Sequence, residues 1–257
     1  WESVHIKTMI KFWNGNKTAV RQRYEWELIN LVLSKRHEDK GLVNDQTDYP
    51  NAEDEGRVLE RGVSALITVA GNRKFEGRSF IEVKKPLCFG LLGRRLLVVK
   101  SNRLTEFARL NEGALKQMKL GVPSTWVDAE LFRANSYHVI EQGSLRQMLG
   151  WIKEEKVDYV TLGVSEAQDV LNDFPEFTQD LAIEPTLQLN YPFPLVFYVN
   201  KQQPTLADML SEGLERIRQT GELEALYQRY FGKVIEQSNL QNRTQIQLNN
   251  PFLPEGY

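Results

Sequence analysis

"KLGVPSTWVDAELFRANSYHVIEQGSLRQMLGWIKEEKVDYVTLGVSEAQDVLNDF", residues 119–174, alternates between two kinds of pattern. Short apolar runs, "KLGV", "YHVIEQ" and "VDYVTLGV", read as strands. The segments that follow them, "TWVDAELFRAN", "SLRQMLGWIKEEK" and "SEAQDVLNDF", repeat their apolar residues at helical spacing. Strands separated by helices of this length imply a mainly parallel sheet with helices on both faces. At the first strand-to-helix junction stand Pro123, Ser124 and Thr125. Ser124 or Thr125 either caps the helix by accepting one of its first-turn N–H groups, or joins Trp126 in a wall that holds an anionic group.

The same alternation runs through the rest of the chain. "SVHIKTMIKFW" (3–13) reads as a strand, and "RYEWELINLVLSKRHED" (23–39) as a helix with Tyr24, Leu28, Leu31 and Val32 on one face. "AEDEGRVLERG" (52–62) is a short helix with acids in its first turn and Gly62 as its stop. "VSALITVAG" (63–71) and "RRLLVVK" (94–100) follow as strands, and a helix is expected near 104–113. Past 192 come the β run "LVFYVNK" and two amphipathic helices, "TLADMLSEGLERIRQTG" and "ELEALYQRYFG", each too apolar on one face to stand alone. The expected architecture is α/β with two lobes: lobe 1 from 1–102 and 192–257, lobe 2 from 103–191. The crossings fall near 100–104 and 190–196, with a central cleft as the default place for a small ligand.

Composition narrows the function classes. The 257 residues are 41% hydrophobic and 26% charged, enough for a real core, and 32 basic against 34 acidic residues give a formal charge of -2. No strongly basic face points to nucleic acid. The apolar runs "PLCFGLLG" and "PFPLVFYV" fall far short of the about 18 residues that cross a bilayer, so no membrane insertion is expected. One cysteine, Cys88, excludes a disulfide within the chain and a cysteine-rich zinc site. His5, His37 and His138 lie far apart with no metal-ligand spacing, and no GxSxG, Walker A or GxGxxG motif occurs. No cofactor and no metal are expected. The chain opens at Trp1 without a leader: either a targeting peptide has been removed or the chain was trimmed.

"GLERIRQTGELEALYQRYFGK" (213–233), "RVLERGVSALIT" (57–68) and "VDYVTLGVSEAQDVL" (157–171) resemble the type II periplasmic solute-binding proteins. The likeness is to the family 3 extracellular binding proteins for polar amino acids, and within them to an uncharacterised branch. Patterns similar to "KPLCFGLLGRRLLVV" (85–99) and "LNNPFLPEGY" (248–257) occur in that branch. The resemblance implies a monomeric periplasmic protein that closes on a small polar or anionic solute. It would then serve an inner-membrane permease of the ABC type or a sensor partner.

For the site, the resemblance implies an arginine after "VSALITV" that clamps a ligand carboxylate, here Arg78 or Arg73, with Thr68 as the nearby hydroxyl. A guanidinium fork matches a carboxylate bidentately. Ser124, Thr125 and Trp126 would face the cleft, Trp126 either stacking on a ligand or packing into its own lobe; Trp13 and Tyr24 of lobe 1 are further candidates, with core or rim packing as the alternative. Arg95 and Tyr191, near the crossings, are each either an interlobe contact or a ligand contact. Members that bind amino acids carry an aspartate at the end of the last lobe 2 strand, to meet the ligand's ammonium. That position falls at or near Gly163, and Leu162, Val164 and Ser165 offer no carboxylate. Glu166 is the nearest acid. Unless it reaches in, an uncompensated ammonium there is costly, and an anionic or neutral head fits as well.

Three readings therefore stand. The first is a non-catalytic binding protein for an amino-acid-like or carboxylate-bearing ligand. The second is an enzyme on the same scaffold, resembling cyclohexadienyl dehydratase, with Glu166 as the acid. The third is a module for a protein partner, its cleft vestigial.

Overall fold

The computed structural model describes residues 9–34, 41–124 and 126–257. In chain order the first elements are β1 (Ile10–Trp13), α1 (Ala19–Leu33), β2 (Leu42–Asp45), α2 (Ala52–Gly56), β3 (Ala65–Val69), β4 (Ile81–Val83) and β5 (Arg94–Lys100). The middle holds α3 (Leu104–Ala108), α4 (Glu112–Gln117), β6 (Lys119–Val122), α5 (Asp128–Ala134), β7 (His138–Glu141), α6 (Leu145–Lys153), β8 (Tyr159–Gly163) and α7 (Ala167–Asp173). Last come β9 (Leu181–Ile183), β10 (Leu187–Asn190), β11 (Leu195–Val199), α8 (Pro204–Gln219), α9 (Glu222–Gln237) and β12 (Thr244–Gln247).

The chain divides into two compact units: unit 1 is 1–87, 195–232 and 254–257, and unit 2 is 88–194 and 233–253. The first change of unit thus falls at 87/88 and puts all of β5 in unit 2, where the sequence reading had placed 94–100 in lobe 1. The C-terminal segment 233–253 also joins unit 2, because β12 pairs with β10.

Unit 1 is built on the sheet β2-β1-β3-β11-β4. Its core gathers Trp13, Val58, Leu66, Phe75, Val196 and Tyr198, with Tyr49 and Phe80 packed against them. The apolar stripe on α1 is Tyr24, Leu28, Ile29, Val32 and Leu33; Leu31 is only half-buried. Glu25 is fully buried on the same helix, held at 3.1 Å by both Lys17 and Arg21. Pro204 opens α8 where its fixed φ suits a first helical turn. Gly213 lets α8 approach α1, since a Cβ there would stand 2.2 Å from the Val32 carbonyl oxygen.

Unit 2 carries the sheet β12-β10-β5-β8-β6-β7, with β9 also on β5. Leu96, Leu97, Val98 and Val99 are buried along β5, where Leu96 pairs with Leu162 and Val98 with Val160 of β8, and Met148 and Leu149 of α6 are buried in the same unit.

Both sheets are mixed, which corrects the expectation of mainly parallel ones. β1, β2 and β3 pair in parallel, as do β6, β7 and β8, because each of these strands reaches the next through a crossover. β11 runs antiparallel to β3 and β4, and β5 runs antiparallel to β8, β9 and β10. No such crossover joins these strands to their neighbours, so nothing forces them parallel. β2, β4, β9, β10 and β12 were missed in the sequence, being short or, like "LQLN" and "TQIQ", rich in amides.

Candidate functional site

The register of unit 2 sets Arg95 of β5 directly opposite Gly163 at the end of β8. Arg95 is 6% exposed, and a cation so buried needs a counter-charge. It has one in Asp128, the first residue of α5, whose Oδ2 accepts from Nη2 at 3.0 Å. Nη2 also donates to the Thr161 carbonyl at 3.2 Å, and Nε to Thr161 Oγ1 at 3.4 Å. Tyr191 donates its hydroxyl to the same Asp128 Oδ2 at 3.2 Å, with its ring edge-on to Phe132. Burial pushes the Tyr191 phenol well above its ordinary range, so it stays a neutral donor. Burial also works against the charge on Arg95, but its electrostatic partners, Asp128 and Glu166 among them, outweigh it and hold the guanidinium above its usual value.

Glu166 stands where the resemblance expected an acid three residues earlier. It occupies the N-cap position of α7, yet its side chain does not cap that helix. A tight turn, with the Glu166 N–H donating to the Gly163 carbonyl at 2.9 Å, brings it back over the strand end. A Cβ built on Gly163 would lie 3.8 Å from Glu166 Oε2 and 3.7 Å from Arg95 Nη1. The space beside residue 163 is therefore flanked by a half-buried carboxylate and a guanidinium. Asp128 and Glu166 are the two carboxyl side chains that act on Arg95. Next to Glu166, Ser165 Oγ is buried and has no hydrogen-bond partner among the described residues, a polar group positioned for one.

The other expected site residues are placed as follows. Tyr191 belongs to the cluster around Asp128, and Arg95 finds its ion pair inside unit 2, not across lobes. Asp128 and Thr161 were not foreseen, because an acid in a first helical turn reads as routine capping chemistry. Ser124 is exposed, with its N–H on the Gly143 carbonyl at 2.9 Å. Trp126 is half-buried, and Thr125 lies outside the described residues. The first turn of α5 carries Asp128 and Glu130, with no side-chain cap on its N-terminal end.

In unit 1, Trp13 and Tyr24 are buried, as the packing alternative for them has it. Trp13 donates Nε1 to the Thr47 carbonyl at 2.8 Å, and Tyr24 donates its hydroxyl to the Leu87 carbonyl at 2.6 Å. Each is buried because β1 and α1 turn their apolar faces to the sheet core. Thr68 Oγ1 accepts from Asn72 Nδ2 at 2.9 Å. Arg78 pairs with Glu60 at 2.7 Å and Arg73 with Glu76 at 3.4 Å. Glu60 and Glu76 are largely exposed, and such pairs hold an arginine by only about 0–1 kcal/mol.

Among the described residues, no group of three or more His, Cys, Asp or Glu is arranged to hold a metal ion. No helix there is long and apolar enough to cross a membrane.

No protein-family model and no curated protein sequence matches the chain. Solved structures do. The periplasmic VFT2 domain of Bordetella pertussis BvgS superimposes with a TM-score of 0.64 at 14% identity, covering 87% of this chain and 94% of that one. A Salmonella typhimurium periplasmic binding protein of high arginine specificity gives 0.61 at 15% identity, covering 87% and 99%. An amino acid ABC transporter substrate-binding protein from Streptococcus pneumoniae, bound to L-arginine, gives 0.62 at 10% identity, covering 90% and 95%.

Proposed function

We propose, from the two-lobe type II periplasmic solute-binding fold that this chain shares with those structures, that it is a non-catalytic binding protein for a small amino-acid-like solute. Glu166 meets the solute's ammonium. The observation that carries this reading is the Glu166 carboxylate beside Gly163, at the strand end where the resemblance calls for an acid. That one of those structures is a periplasmic domain and another an ABC transporter substrate-binding protein supports a periplasmic setting and a permease as the recipient of the bound state.

The test is a thermal-shift and calorimetric screen of the twenty amino acids, with the N-acetyl form of each hit as control. A ligand taken up only by the native state raises the melting temperature. Removing the charge at 166 with Glu166→Gln costs a charge-assisted hydrogen bond of about 1.5–3 kcal/mol, or roughly 10- to 100-fold in affinity. N-acetylation, which deletes the ammonium, should cost about as much. Retention of full affinity by Glu166→Gln, or equal binding of the acetylated compound, would refute the assignment.

A further inference from the structure

Unit 2 has a second feature, remote in sequence from residues 163–166: a surface cavity of about 670 Å³ whose lining includes Arg94, Gln188, Asn190, Gln245 and Gln247, with Phe89 also against it. Sheet register builds it. Asn190 of β10 pairs with Arg94 of β5 on one side and with Gln247 of β12 on the other, and Gln188 pairs with Gln245. Residues in register, and residues two apart on a strand, share a face. One face of these three strands therefore presents a guanidinium and four carboxamides, while Leu187, Leu189 and Ile246 of the opposite face are buried.

The amides are already oriented by one another. Gln188 Nε2 donates to Asn190 Oδ1 at 2.5 Å, and Asn190 Nδ2 donates to Gln245 Oε1 at 3.1 Å. At the inner end of this relay Gln188 is 2% exposed, and its Oε1 has no donor among the described residues. A buried acceptor without a donor is a rarity that calls for an occupant. No aspartate or glutamate lines the cavity, and Arg94 has no ion-pair partner among the described residues. The Phe89 side chain is 48% exposed.

We infer that this cavity is a second ligand site, taking a small hydroxylated carboxylate. The Arg94 fork receives the carboxylate bidentately. Hydroxyl groups donate to Gln188 Oε1 and exchange hydrogen bonds with the amides of Asn190, Gln245 and Gln247. The carbon skeleton covers the Phe89 ring and removes apolar surface from water. The side chains assigned to this ligand are distinct from Arg95, Asp128 and Glu166, although Tyr191, which also lines the cavity, touches that cluster through Asp128.

D-gluconate serves as the probe, and D-glucitol, the same skeleton without the carboxylate, as its control. Calorimetry on the whole chain should show saturable gluconate binding, at least about tenfold tighter than glucitol. Arg94→Met should lose about tenfold or more, and Gln245→Ala, at an exposed position on the edge strand, several-fold. Glu166→Gln should leave gluconate affinity unchanged, which separates this site from the amino-acid site. No heat with folded wild-type protein at about 10 mM gluconate, equal affinity for glucitol, or undiminished binding by Arg94→Met would each overturn the inference.

Discussion

Asp128→Asn keeps the side chain's shape and removes its charge, and so asks what a buried arginine is worth without its partner. Arg95 and Asp128 are 6% and 4% exposed, with Nη2 and Oδ2 3.0 Å apart. After the substitution the guanidinium keeps the neutral acceptors of Thr161 at 3.2 and 3.4 Å. Its next negative neighbour is Glu166. Breaking a buried ion pair on one side costs about 3–5 kcal/mol, because the remaining charge is still desolvated. The surviving Thr161 contacts put the expected loss near the lower end, about 3 kcal/mol. For a chain of this size that is roughly 6–12 °C in melting temperature. Urea titrations followed by far-ultraviolet circular dichroism measure it. The double variant Arg95→Met with Asp128→Asn removes both charges while leaving the Tyr191 hydroxyl an acceptor, and should lose less than the sum of the two single variants. A shift below about 1 kcal/mol in Asp128→Asn would refute the reasoning, as would a double variant that loses the sum of the two singles.

Two further predictions concern glycines and pH. Gly163→Ala meets only ordinary contacts at 3.7 and 3.8 Å and should change stability by less than about 1 kcal/mol, whereas Gly93→Ala would drive a Cβ to 1.8 Å from the Tyr191 carbonyl oxygen and should cost several-fold more in the same denaturation assay. Comparable melting temperatures for the two variants would contradict the packing around β5 and β10. Burial chiefly lowers the Lys17 ammonium to about 8 from 10.5, against the opposing pull of Glu25. Between those values the unfolded chain holds a proton that the folded chain has released, so this group makes stability rise with pH across about 8 to 10.5, by roughly 3 kcal/mol. Lys17→Met should flatten that slope in urea midpoints measured from pH 7 to 10.5, and parallel curves for the two proteins would rule the effect out.

Local chemistry was legible from the residues alone. "RRLLVVK" is a strand over the residues expected, and the stripe Leu206, Met209, Leu210, Leu214 and Ile217 is buried along α8. Gly62 ends its helical segment at φ 89°, a conformation that favours glycine. The Glu166 alternative was visible too, as the nearest acid to Gly163, but whether its side chain reached back was not. The turn that brings it there depends on where β8 stops.

The sequence by itself determined what periodicity and single-residue preference can carry: the strands and helices with strong apolar patterns, and their α/β order. Tertiary structure alone decided which strands run antiparallel, that Arg95 is neutralised by an acid 33 residues away, and that Trp13 and Tyr24 belong to a core. It also decided that amides 55 residues apart, Asn190 and Gln245, meet on one sheet face. The physical reason is range. Apolar spacing and capping act within a few turns of chain, whereas ion pairing, burial and strand register are set by contacts between segments whose separation along the chain carries no such signal.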